Sequence, residues 1–528
     1  MRVLLWTSSI VGLLVVVLAI TGDILLHQAG PRLKAEVIET LSTRFDSRVE
    51  LDGFHASVLR GFEVWGSGLK LYPNHLPIDQ PLIAVDRFSF HVLNWRQLLK
   101  TPLYVNRVQV TGLTIHLPPK SERAGMPTLR DNQKPGVDES HGRIRIVVGD
   151  IIVSRALLYI ENGKPDKVPM QFIIDKLQLH SVGSGKPMQF HATLINPKPI
   201  GNIDSRGAIG PFNAESPGDT PVQGSYHFSK ANLNTIKGLG GMLSSDGSYQ
   251  GQLNQIVVDG ETSTPDFSLD IANHTVPLNT KFHAIVDGTN GDVHLRPVDA
   301  WLAQTHIVAQ GEVVRAPGAP GRDIRLDVTV GPGRIQDLLQ LAMKTEPALM
   351  TGQVQLHTNF ELPPGDATVT TKLRLRGSFQ IDGVHFTSDK IQSKVDELSL
   401  RGQGHAKQAK QESDAIKNGN APPGAEANIA SEMRGNFDFG DNKLTVSTLN
   451  YRVPGADIAL SGSYSLDGEL FNFTGTARLD AHVSQMVTGW KSWLLKPVDP
   501  FFAKNGAGTQ VPIKITGTRS SPQIGLNF

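Results

Sequence analysis

The chain of 528 residues contains no cysteine, which excludes disulfides, thiolate nucleophiles and cysteine-ligated metals and leaves the redox compartment open. It has no real excess of charge. Fifty-one Lys and Arg stand against 50 Asp and Glu, so the basic footprint of a nucleic-acid binder is missing. Phosphate and dinucleotide loops are missing as well. "GSGK", Gly183 to Lys186, has His180 where a phosphate loop needs its first glycine and Pro187 where it needs Ser or Thr, and "GLGG" at Gly238 has Leu243 in place of the last glycine of a dinucleotide fingerprint. The 17 histidines form no H-E-x-x-H and no cluster at ligand spacing, so they read as single exposed or structural residues. Adjacent carboxylates such as Asp396 and Glu397 would point to opposite faces of a strand. The expectation is a non-enzymatic protein with no cofactor, no metal and no nucleic-acid partner.

Long apolar runs are scarce too, with one exception. "VLLWTSSIVGLLVVVLAITG", Val3 to Gly22, carries no charge and suits a helix across a hydrocarbon core of ~30 Å. It reads as a single-pass transmembrane anchor within residues 1–30. A cleaved secretory signal is the alternative, but the run is long for a signal and no clean A-x-A site follows. Arg2, ahead of the span, favours an inside N-terminus with the bulk of the chain exported.

What is plentiful is period-two patterning. After Pro31 a short amphipathic helix through "PRLKAEVIETLSTRF" brings Leu33, Val37, Leu41 and Phe45 near one face. Then "VDRFSFHV" sets Val85, Arg87, Ser89 and His91 against Phe88, Phe90 and Val92. "VNRVQVTGLTIHL" from Val105 and "VGDIIVSRALLYI" from Val148 match along their length. In both, apolar parity shifts by one residue at the centre, at Thr111-Gly112 and Ser154-Arg155, as a turn or bulge requires. "GETSTPDFSL" from Gly260 returns as "GTRSSPQIGL" from Gly517, which reads as a turn leading into a strand. A Gly-x-aromatic or Gly-x-β-branched phrase recurs at Gly224, Gly247, Gly311, Gly352, Gly377, Gly435 and Gly462, and reads as strand starts or bends.

The cleanest alternation is "KLRLRGSFQID", where Leu373, Leu375, Phe379 and Ile381 share a greasy face and Arg374, Arg376, Ser378 and Gln380 a wet one. Beyond the helix after Pro31, helical signals are sparse, at Ile335 to Met343 and Val483 to Leu495. Two polar stretches, from Pro118 and from Gln403, read as mobile loops. Trp490, Trp493, Phe501 and Phe502, flanked by lysines, are candidates for a membrane interface, with packing of that helix onto the sheet end as the alternative.

Several phrases in order resemble the AsmA family of bacterial envelope proteins. The anchor and amphipathic helix are followed by "RVELDGFHASVLRGFEVWGSGLKLYP" from Arg48, "LIAVDRFSFHVLNWRQLL" from Leu82 and "VNRVQVTGLTIHLP" from Val105. Near the end come "FDFGDNKLTVSTLNYRVPGADIALSGSYSL" from Phe437 and "VPIKITGTRSSPQIGLNF" from Val511. The resemblance divides the chain into an anchor (1–30), an AsmA-like N-terminal module (31–120), a polar loop (121–142), a repetitive β region (143–402), a flexible low-complexity loop (403–430) and an AsmA-like C-terminal region (431–528). It implies a mainly β fold, an elongated curved antiparallel β-groove with few short helices. It also implies an inner-membrane-anchored periplasmic protein that binds phospholipid and supports lipid transfer or outer-membrane homeostasis, with outer-membrane or periplasmic partner proteins.

Groove candidates on alternating strands are Val108, Val110, Ile115, Leu373, Leu375, Phe379 and Ile381. An alternating strand must cover its apolar face with a second sheet, with itself or with something apolar from outside, and acyl chains would serve. The alternative is a structural or assembly factor for the envelope built from ordinary β-sandwiches.

Overall fold

The computed structural model describes residues 32–45, 47–57, 62–74, 80–92, 103–117, 146–160, 170–183, 185–211, 216–272, 274–315, 321–344, 346–417, 431–482 and 509–526. This part of the chain is mainly β. The strands are β1 (Ser47–Glu50), β2 (Gly53–Ser57), β3 (Phe62–Pro73), β4 (Ile83–Val92), β5 (Leu103–Leu117), β6 (Ile146–Ile160), β7 (Met170–Val182), β8 (Met188–Pro197), β9 (Ile200–Ile209), β10 (Pro221–Asn232), β11 (Leu239–Gly240), β12 (Met242–Gln252) and β13 (Gln255–Leu269). They continue as β14 (Val276–Asp287), β15 (Asp292–Leu302), β16 (Thr305–Arg315), β17 (Arg322–Arg334), β18 (Met350–Leu362), β19 (Arg374–Phe386), β20 (Glu432–Gly440), β21 (Lys443–Val453), β22 (Ala456–Ser465), β23 (Leu470–Leu479), β24 (Thr509–Thr518) and β25 (Pro522–Leu526). The helices are α1 (Arg32–Phe45), α2 (Ile335–Gln340), α3 (Val369–Lys372), α4 (Asp389–Gly402) and α5 (Ala406–Lys417). None of them is long and apolar enough to cross a membrane. The expected anchor at Val3 to Gly22 lies outside the described residues.

The chain forms two compact units, one of residues 1–232, 244–260 and 285–291, the other of residues 233–243, 261–284 and 292–528. In the first, α1 follows Pro31 as its sequence requires and buries Val37 and Leu41 completely. The strands from β3 to β10 pair with their neighbours in chain order, antiparallel except for β5 and β6. These two run parallel, Val105 against Val148 and Leu113 against Ala156, an offset of 148 − 105 = 43 residues. That is also the offset of the internal sequence repeat, so the two copies lie side by side with equivalent residues in contact.

The central parity shift of the repeat is a bend inside each strand. Gly112 in β5 has φ 68° and Arg155 in β6 has φ 55°, and each falls between two regular pairings. Gly68 in β3 has φ 65°. The carboxylate of Asp52 lies over Gly68 and that of Asp86 over Gly112, 1.9 Å from where a Cβ would stand. This row of bends corrects the expectation for Val85, which was placed with Arg87 and Ser89. The extra residue at Asp86 returns Val85 to the side of Phe88 and Phe90, where it is 2% exposed. The same flip keeps Val108, Val110, Leu113 and Ile115 in one core although parity changes between them.

In the second unit β15 to β25 pair antiparallel in chain order. The helix expected from Ile335 is α2. The polar stretch from Gln403 is not all loop, since Ala406–Lys417 is helical, with Ala406 and Ala409 buried. Ala, Lys and Gln are strong helix formers, and their polarity had masked that propensity. The two decapeptide phrases also differ. The first lies wholly within β13, while Gly517, at φ 89°, opens the turn into β25, where the Ser521 N–H donates to the Thr518 carbonyl at 3.1 Å.

Candidate functional site

The recurrent Gly-x-aromatic phrase gives the site its local logic. All seven of its glycines lie inside strands rather than at strand starts. Gly377 of β19 sits across from Phe437 of β20, and Phe379 across from Gly435. In the first unit the exchange is the same: a Cβ on Gly224 would meet the Tyr249 hydroxyl at 2.6 Å, and one on Gly247 would meet the Tyr226 ring at 2.6 Å. An aromatic phrase of this kind therefore supplies a ring and, two residues earlier on the same face, a gap beside a neighbouring strand's ring, whereas the phrases at Gly311 and Gly352 end in Val313 and Val354. The hydroxyls are tied as well, Tyr249 to Ser205 Oγ at 2.8 Å and Tyr226 to Ser245 Oγ at 3.1 Å. Burial raises both phenol pKa values.

Register then turns single strands into rows. Phe360, Leu375, Phe439, Leu444, Tyr464 and Phe471 face one another on six successive strands, β18 to β23. A parallel row holds Gly377, Phe437, Val446, Gly462, Phe473 and Ile515, and a third Leu356, Phe379, Gly435, Leu449, Leu460 and Gly475. The fourth, from Val354 through Ile381, Met433, Tyr451 and Ile458 to Ala477, is buried throughout. The fourth row is roofed by α2 and α4, through Ile335, Leu338, Val395 and Leu398. On the cluster of the first three rows, the described apolar side chains from outside the strands are Ile271, Ala342 and Leu466. In the first row Phe360, Leu375, Phe439, Leu444 and Phe471 stay only half-buried.

The reverse face of the same strands is charged and solvated. Arg376 reaches Asp438 at 2.6 Å and Arg452 reaches Asp457 at 2.8 Å. Histidines of both units pair with carboxylates on their solvated faces, His180 with Asp150 at 2.5 Å and His306 with Asp299 at 2.9 Å among them. Among the described residues, no three or more His, Asp or Glu converge to hold a metal ion.

The expected site residues fall into three groups. Val108, Val110 and Ile115 are 2%, 1% and 5% exposed within the core of the first unit. Leu375, Phe379 and Ile381 lie together on the apolar face of the second unit, whereas Leu373 is off the strand. It caps α3, where its N–H donates to the Val369 carbonyl. Trp490, Trp493, Phe501 and Phe502 lie outside the described residues. The rows themselves were hidden in the sequence, because neighbours such as Phe360 and Leu375, or Leu375 and Phe439, are brought together only by register.

Fold and face together define a mainly β protein whose second unit presents a broad apolar sheet surface. No protein-family model, curated protein or solved structure matches the chain.

Proposed function

We propose that this protein holds phospholipid acyl chains against the apolar sheet face of its second unit, in a β-groove of the AsmA type. On this reading it acts as an inner-membrane-anchored periplasmic protein in lipid transfer or outer-membrane homeostasis. The observation that carries the reading is the half-buried row from Phe360 to Phe471, which runs from strand to strand across the sheet. An acyl chain laid along it removes apolar area from water at about 25 cal/mol per Å². That attraction has no direction, so the chain is held and still slides.

An assembly factor built from sandwiches is the competing design. It would cover this face with a second sheet about 10 Å away. The described cover is instead short helices and single side chains, which favours a groove.

The test uses the full chain, purified in mild detergent that is then removed, with bound lipid measured by mass spectrometry. Phospholipid should remain on the wild type. Leu375→Asp and Leu444→Asp, at half-buried positions, should lose most of it while keeping a cooperative melt, and Gln355→Asp on the wet face should keep it. Absence of lipid from the wild type, or equal loading of all four proteins, would reject the reading.

A further inference from the structure

The apolar face ends in a polar row. Two residues beyond Leu444, Tyr464, Phe471 and Gly517, just past the last strand pairings of β21 to β24, the hairpin turns carry Asn442, Leu466, Glu469 and Arg519. Backbone bonds fix the alignment: the Leu466 N–H donates to the Asn442 carbonyl at 2.9 Å and the Arg519 N–H to the Glu469 carbonyl at 3.1 Å. Asn442 at φ 57° and Glu469 at φ 50° are turn residues, and the row is tied to the aromatic one by Leu466, which packs in the cluster of Tyr464 and Phe471, and by the charges of Glu469 and Arg519, which act on the Tyr464 phenol.

Its oxygens are short of donors. Asn442 Oδ1, Glu469 Oε1 and the hydroxyl of Tyr464 are buried without a hydrogen-bond partner, and Tyr464 as a whole is only 9% exposed. One such group is costly, and three at the end of one face are acceptors in want of a donor. The Tyr464 ring lies 4.9 Å from that of Phe471, so the polar end is continuous with the apolar surface. Burial and the nearby Glu469 charge push the Tyr464 phenol up to about 12, which keeps it neutral and able to donate or accept.

We propose that this row binds the headgroup of the lipid and selects a primary ammonium, so that the favoured ligand is an amine-bearing zwitterionic phospholipid. The proposal rests on the acyl-chain reading of the face. An –NH3⁺ group offers three N–H donors and a positive charge to three unsatisfied oxygens, one of them a carboxylate. Arg519, whose backbone N–H donates to the Glu469 carbonyl and whose charge acts with that of Glu469 on the Tyr464 phenol, adds a cation at the same end of the face for the phosphate of such a headgroup. A choline headgroup has the same charges and no N–H to give. A glycerol headgroup has no cation.

The experiment incubates the full chain with vesicles of phosphatidylethanolamine, phosphatidylcholine and phosphatidylglycerol in equal amounts with identical acyl chains, and then measures protein-bound lipid by mass spectrometry. Wild type should carry phosphatidylethanolamine enriched at least fivefold over either competitor. Glu469→Gln, close in shape, should bring the three to their vesicle ratio with total loading unchanged. Tyr464→Phe keeps the ring and should lose part of the enrichment, which provides a second variant if Glu469→Gln folds poorly. Equal loading of ethanolamine and choline lipids on the wild type would overturn the assignment, as would enrichment that survives both substitutions. Failure of the wild type to load any lipid would instead remove the acyl-chain reading beneath it.

Discussion

Phe379 lies directly across from Gly435, and its ring carbons come within 3.1 Å of the place where a Cβ on that glycine would stand. The Thr448 carbonyl oxygen is closer still, at 2.4 Å. Gly435→Ala should therefore destabilise the second unit by about 1–3 kcal/mol, the usual range for overpacking, although alanine normally suits a strand better than glycine. Gly440→Ala, where a Cβ meets nothing within 4 Å, should leave the melting temperature almost unchanged. Equal melting temperatures for the two variants would show that the ring does not need the gap.

The bend at Gly112 makes a separable prediction in the first unit. Gly112→Ala asks an L side chain to adopt φ 68° and drives its Cβ onto the Asp86 carboxylate. The left-handed conformation alone costs roughly 1–2 kcal/mol, and the clash adds to it. Asp86→Ala in the same chain should restore the clash component and leave the conformational one. Chemical denaturation of the two single variants and the double variant measures this coupling, and strict additivity would mean that the carboxylate is not seated over the glycine.

Acid should weaken the first unit through Asp204. The hydrogen bond from His191, at 2.9 Å, holds the Asp204 carboxyl below its ordinary value of 3.8, with the His191 and Arg206 charges assisting against desolvation. A depressed carboxylate contributes stability above its unfolded pKa and loses it as pH falls through the folded one. Melting temperature should thus drop more steeply below about pH 4 in wild type than in Asp204→Asn. The partners are partly exposed, so the difference should shrink in high salt. A parallel decline of the two proteins would remove Asp204 from the account.

Alkali acts on the second unit. Of seven tyrosines, burial above all raises Tyr451 and Tyr464 to about 12. Both favour the neutral form in the folded state, so their contribution is complete below the unfolded pKa of about 10 and is lost as pH rises toward 12. Tyrosinate absorbance should show Tyr451 and Tyr464 as the latest-ionising groups, with Tyr226 and Tyr249 also raised, and Tyr464→Phe should remove one of the latest. A single transition near pH 10 would contradict their burial.

Much of this architecture could be read from residue order, and the exceptions share a cause. Alternation in "RLRGSFQID" gives the face of β19 directly, and the i, i+3, i+4, i+7 spacing of Ile335, Leu338, Leu339 and Ala342 marks α2. Helix α4 shows the same signal more faintly: Ile391, Val395 and Leu398 follow helical spacing, but the segment is polar overall. The polar row could not be read. Asn442, Glu469 and Arg519 belong to different hairpins, and only the registers of three strand pairs place them together. Likewise Gly-x-aromatic is visible as a rhythm, while its meaning as an exchange of rings and gaps needs the neighbouring strand.

The parallel pairing of β5 with β6 bears on inheritance. Both strands carry the same bend at the same place, and their offset of 43 residues holds from Leu103 against Ile146 to Leu117 against Ile160. A copy laid beside its parent in this way finds its backbone partners already spaced and its kink already matched. Gene duplication can then widen such a sheet by one strand without a new register or a new solution for the core, given a crossover long enough to join two parallel strands. Width becomes a trait that descent can adjust in single-strand steps.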